Sequence, residues 1–115
     1  MSLRLIPNMT VFRPADANET AAAWLAAMRK KDGPVGLALT RQKLPVLDPN
    51  RARNAVKGAY VLEEASATPK LILLASGSEV HLALEARKVL EAEGIPTRVV
   101  SMPCQEWFDA QDQAY

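Results

Sequence analysis

Cysteine occurs once in these 115 residues, as Cys104, so no internal disulfide can form. A lone cysteine fits a chain kept in a reducing compartment, and the cytoplasm is the expected location. An excess of charge is missing too: 14 Lys and Arg stand against 13 Asp and Glu, a net charge of +1. Without a cluster of cations the chain lacks the electrostatic footprint of a nucleic-acid binder. No apolar run approaches the roughly 20 residues that a membrane-crossing helix needs. From Met1 to Pro7 there is one basic residue, Arg4, which separates Leu3 from Leu5-Ile6, so the apolar core of a secretory signal is absent and no targeting is expected. The only histidine, His81, has no Cys or His companion with metal-site spacing.

What remains is an ordinary soluble composition, 49% hydrophobic and 23% charged. A chain of this length buries about two-thirds of its extended surface, enough for one modest core but not for two complete domains. Met9 to Arg13 is short and β-rich, and Pro14 closes it as a strand. Asp16 followed three residues later by Glu19, before an alanine-rich stretch ending in Arg29-Lys30, predicts a capped helix. Lys31-Asp32-Gly33-Pro34 breaks it, and Val35 to Thr40 has the length and apolar character of a buried strand. From Arg41 to Lys57, prolines, asparagines and five cations facing one acid, Asp48, read as a linker. Gly58 to Leu62 fits an edge strand. Lys70 to Ala75 is a second buried-type strand, Ser76-Gly77-Ser78 a tight turn, Glu79 to Glu93 a helix capped by Gly94, and Thr97 to Ser101 a further strand. On that helix Leu82, Ala86, Val89 and Leu90 are expected inside, with His81, Glu85 and Lys88 outside.

Two β-α-β units joined by a basic linker predict an α/β protein with parallel sheets and right-handed crossovers. Each unit is too small for a doubly wound three-layer domain of five or six strands, so the chain reads as the end of one such domain joined to the start of another.

Most residues with chemical potential have structural explanations. Asp16 and Glu19 are expected to cap their helix. The Ser76 to Glu79 turn carries one glycine and no lysine, unlike a phosphate loop, and is expected to be a β-α turn with a serine cap. His81 is expected to pair with Glu85 on the surface. Cys104 has no nearby histidine to make it a nucleophile. Trp24 is expected in the core or at an interdomain contact, and Trp107-Phe108 as an apolar anchor that becomes an exposed patch where partners are missing.

The strings Leu5 to Thr20 (LIPNMTVFRPADANET), Leu39 to Pro45 (LTRQKLP), Gly58 to Leu62 (GAYVL), Ala75 to Val80 (ASGSEV) and Arg98 to Pro103 (RVVSMP), in that order and spacing, resemble transketolase over essentially the whole chain. Among thiamin diphosphate enzymes of the same fold, dihydroxyacetone synthase is the alternative. The resemblance implies residues 1–45 as the end of a pyrimidine-binding domain, 46–57 as a linker and 58–115 as the first half of a C-terminal domain. It also implies an enzyme of the pentose phosphate pathway that transfers a two-carbon ketol unit between sugar phosphates. Such an enzyme uses thiamin diphosphate and a divalent metal (Mg or Ca) and works as a cytoplasmic homodimer. The family's Gly-Asp-Gly…Asn motif, its activating glutamate and its Gly-Glu-Asp-Gly-Pro-Thr-His segment have no counterpart here, so no catalytic, cofactor or metal residue is expected in this chain and the chain alone is expected to be inactive. One site residue carries over: Arg41 matches the arginine that binds the sugar phosphate. Its place after a predicted buried strand, where open α/β sheets set their ligands, suits a guanidinium that grips phosphate through two hydrogen bonds. A non-catalytic α/β association module, packing its open edges on a partner, is the reading from another class.

Overall fold

The structure, a computed structural model, describes residues 2–115. After a 3-10 turn at Ser2–Leu5, strand β1 (Thr10–Phe12) leads into helix α1 (Ala17–Arg29) and returns as β2 (Val35–Leu37). The two strands are parallel, with Thr10 opposite Val35 and Phe12 opposite Leu37. The apolar run expected to pair as far as Thr40 keeps only one further ladder bond, Ala38 N to Phe12 O at 2.8 Å, because β1 ends at Phe12 and offers nothing longer to pair with. Asp16 caps α1 by accepting from Glu19 N at 2.8 Å. Glu19, Ala23 and Ala26 form the inward face of α1, spaced as one helical stripe. Small alanines let the helix pack closely, and Trp24 falls on the outer side at 55% exposure, outside the core of this chain.

The second unit runs β4 (Leu71–Ala75), α3 (Glu79–Ala92), β5 (Thr97–Ser101), with β4 and β5 parallel over five residue pairs. Strand β3 (Tyr60–Glu63) adds to the free side of β5 but antiparallel, with an irregularity between Val61 and Glu63, so this sheet is mixed and ordered β3-β5-β4. β3 is an edge strand, as its composition suggested. Helix α3 ends in a Schellman motif: Gly94 at φ 78° lets Ile95 N reach Leu90 O at 2.9 Å and Gly94 N reach Glu91 O at 3.0 Å.

The orientation of α3 corrects the expected stripe. Leu82 and Val89 are 69% and 60% exposed, whereas Val80 is fully buried and Leu84 packs beside it. The helix carries two apolar stripes. The inner one continues into Arg87 and Glu91, whose polar ends are satisfied by the sheet: Arg87 Nε donates to Thr97 O at 3.0 Å, and Glu91 Oε1 accepts from Thr97 N at 2.8 Å. Counting apolar residues alone misplaces such a face.

The stretch read as a linker is structured. Helix α2 (Pro49–Ala52), capped by Asp48 through Asn50 N at 2.9 Å, runs into a 3-10 turn at Arg53–Lys57, and Ala52 and Ala55 are fully buried. One core cluster joins Ala15, Leu47, Ala55, Tyr60, Leu62 and Val80. A second joins Phe12, Ala23, Ala26 and Cys104, with Trp107 of helix α4 (Gln105–Asp109) packed against it. The two units keep separate sheets but share their cores. No helix among the described residues is long and apolar enough to cross a membrane.

Candidate functional site

The carboxyl ends of β1 and β2 open toward the loop that follows β2. Arg41 lies in this loop, four residues beyond Leu37, exposed and without a carboxylate partner among the described residues. Seven other cations are held by ion pairs, Arg13 by Glu79 at 3.1 Å and Arg98 by Glu64 at 2.5 Å among them. Arg41 is thus free to meet an external anion. Its neighbours Thr40 and Gln42, though not Arg41 itself, line a cavity of about 260 Å³ together with Leu39, Leu44, Val46, Pro14 to Ala17 and Thr20. The loop is anchored at both ends: Ala38 N donates to Phe12 O, and Leu47 N donates to Asp16 Oδ2 at 2.6 Å while Leu47 O accepts from Asn18 Nδ2 at 2.8 Å.

Asp16 and Glu19 do cap α1, yet Glu19 does more. Its Oε2 accepts from Ala15 N at 2.7 Å, one residue earlier than in an ideal capping box, and its Oε1 accepts from Tyr60 Oη at 2.8 Å and Ser101 Oγ at 2.5 Å. The side chain is fully buried, and no cation shares the pocket. Burial is the strongest influence on it and pushes the carboxyl above its usual range, against the pull of those three donors. The same desolvation, then the Glu19 charge, holds the Tyr60 phenol protonated well above its ordinary range. This junction is invisible to a local reading, which uses only the three-residue spacing; a carboxylate on the same helical stripe as Ala23 and Ala26 was the available signal.

The remaining candidates resolve into structure. The β4–α3 turn has Gly77 at φ 60° but no serine cap: Gly77 N donates to Arg13 O at 2.9 Å, and Arg13 Nη1 donates to Ser76 Oγ at 3.2 Å. His81 does not pair with Glu85. Its Nε2 lies 3.3 Å from Ala15 O, and Glu85 takes Lys88 at 2.7 Å. Cys104 is fully buried, and desolvation, reinforced by the Glu106 carboxylate its thiol faces at 3.4 Å, pushes it up to about 12, far from a thiolate nucleophile. Trp107 is not an exposed patch but packs edge-on against Phe12, ring centres 5.3 Å apart. Phe108 is exposed and meets Tyr115. Among the described residues no three or more His, Cys, Asp and Glu come together in a group that could hold a metal ion.

The family model described as "Transketolase, pyrimidine binding domain" matches residues 1–46, and that described as "Transketolase-like TK C-terminal domain" matches residues 58–115. The chain belongs to the transketolase family. The Mycobacterium tuberculosis transketolase is 52% identical over 121 aligned positions, covering 99% of this chain and 17% of that protein. A Pichia stipitis transketolase solved in complex with sedoheptulose-7-phosphate superposes with a TM-score of 0.89 at 47% identity, over 97% of this chain and 16% of the other. A split-gene transketolase described as an inactive beta4 tetramer superposes at 0.76 with 39% identity, over 90% of this chain and 33% of the other. The chain therefore spans about a sixth of the length of the curated transketolases it matches.

Proposed function

We propose that this chain is a stretch of a transketolase that moves a two-carbon ketol unit between sugar phosphates, and that Arg41 is its phosphate ligand. The division at 1–45, 46–57 and 58–115 is part of the same reading, as are a homodimeric assembly and a cytoplasmic location. The observation that carries it is the position of Arg41: an exposed guanidinium with no carboxylate partner among the described residues, between two residues that line a cavity, past the carboxyl end of a parallel strand, on a loop fixed at Phe12 and Leu47. Phosphate takes two parallel N–H donors from a guanidinium, which a lysine ammonium does not reproduce.

In this reading thiamin diphosphate and its divalent metal are not held by the residues of this chain. The buried carboxylate, Glu19, is consumed by three donors, and no ligand cluster for a metal is present among the described residues. The cofactor belongs in this reading to other parts of the enzyme, and no bond-making step is assigned to these residues. Their work is to bind and orient the phosphate end of the substrate.

Two measurements test the reading. The purified chain, given thiamin diphosphate, magnesium and sugar phosphates, is expected to show no ketol transfer; measurable transfer overturns the assignment of chemistry elsewhere. In a full-length transketolase carrying this segment, Arg41→Ala is expected to raise KM for sugar phosphates by about tenfold or more, as loss of a charge-assisted phosphate contact does, while unphosphorylated substrates are unaffected. An unchanged KM for sugar phosphates removes Arg41 from the site.

A further inference from the structure

A capping carboxylate needs one oxygen for the helix and can leave the other to water. Glu19 leaves neither to water. Its second oxygen is taken by Tyr60 on β3 and Ser101 on β5, 41 and 82 residues away in sequence, so one side chain joins α1 to two strands of the other sheet. Burying a carboxylate with no cation is unfavourable unless every lone pair it turns inward is met by a donor, and here one donor comes from the turn before α1 and the other two from β3 and β5. Any shift of α1 against β3 or β5 would strand the charge, which makes the junction rigid.

The same first turn of α1 holds the end of the Arg41 loop. Asp16 and Asn18, three and one residues before Glu19, grip Leu47 through both its N–H and its carbonyl. Between the anchors at Ala38 and Leu47, the hydrogen bond from Gln42 N to Thr40 Oγ1, 3.1 Å, is local to the loop. The position of Arg41 is therefore set from outside the loop, at its two ends.

We propose that Glu19 is a positioning residue for Arg41: by locking the first turn of α1 to Tyr60 and Ser101, it fixes the Leu47 anchor and so the place of the phosphate-binding guanidinium. The inference rests on the reading of Arg41 as phosphate ligand. Tyr60→Phe removes one donor with little change of shape, and Glu19→Gln keeps the side chain's size while removing its charge. In a full-length transketolase carrying this segment, each is expected to raise KM for sugar phosphates about fivefold with kcat within about twofold, and to leave KM for unphosphorylated ketose and aldose substrates unchanged. Gly94→Ala, which strains the exposed end of α3 far from this junction, serves as the control for lost stability alone and is expected to move neither KM.

The outcomes separate the two layers. If Arg41→Ala itself does not distinguish phosphorylated from unphosphorylated substrates, the underlying site reading fails. If Arg41→Ala distinguishes them but Tyr60→Phe and Glu19→Gln leave KM unchanged, or alter both substrate classes equally, Glu19 is only a structural carboxylate and this inference is overturned.

Discussion

At the scale of single residues, burial raises both Glu19 and Cys104, with different consequences. Glu19 is raised chiefly by burial, so the folded chain holds its proton more tightly than the unfolded chain, whose carboxyl titrates near 4.5. Such a group contributes stability that is fullest below that value and is lost as pH climbs through the raised one. Asp32, Glu64 and Glu91, whose carboxyls are lowered by hydrogen bonds from Lys30, Arg98 and Ser66, run the other way, but they are common to the native chain and a Glu19→Gln variant and cancel between them. The melting temperature of the native chain, relative to Glu19→Gln, is expected to fall as pH rises above 4.5; parallel curves would show that folding does not raise the Glu19 carboxyl. Cys104, whose thiol faces the Glu106 carboxylate, becomes inert. A thiol-reactive dye is expected to label it only as fast as the chain opens, and labelling within seconds under native conditions would contradict its burial.

Between elements, backbone geometry limits what can change. Gly58 has φ 92°, and a Cβ there would meet the backbone at Phe108 N, Cys104 O and Trp107 C, all closer than 3 Å. It is the point where the 3-10 turn ending at Lys57 passes against α4, tied by Cys104 N to Gly58 O at 2.9 Å. Gly94 has a similar φ, 78°, but nothing within 4 Å of the same position. Gly94→Ala is therefore expected to cost about 1 to 2 kcal/mol, the strain of a left-handed alanine alone. Gly58→Ala adds a clash with backbone that cannot move aside, and is expected to cost more than about 3 kcal/mol in a urea titration. Equal losses at the two positions would show that packing at α4 yields.

Across the whole molecule, the mixed sheet is covered on one face only. Helix α3 packs through Val80 and Leu84 on the side of Ala75. On the other side Val61, Ile72, Leu74, Val100 and Met102, with Phe108 and Tyr115, line a hollow of about 370 Å³, and Leu74 and Ile72 are 61% and 48% exposed. An apolar face of this kind draws dyes and other molecules. The isolated chain is expected to bind an environment-sensitive hydrophobic dye and to self-associate with rising concentration, and Leu74→Lys to weaken both without loss of folded structure. A monomer at high concentration that ignores the dye would show this face to be inert.

Local chemistry was legible in the sequence. The β-α-β succession, the Asp16 cap, the Gly94 helix end and the edge character of β3 all follow from short-range spacing and turn residues, and the strings around Arg41 and Ser101 carried the family. What the sequence left undecided depended on partners far along the chain. The face of α3 turned inward was chosen by Thr97 and the sheet, not by which stripe was more apolar. His81 found Ala15 instead of Glu85, the basic stretch before Gly58 folded with Ala52 and Ala55 fully buried, and β3 ran antiparallel to β5. Composition and periodicity are properties of neighbours in sequence and determine which elements form. The fate of Glu19, a cap by its spacing and a bridge between sheets by its contacts, was decided only in the tertiary structure, because desolvation depends on everything that surrounds a group in space.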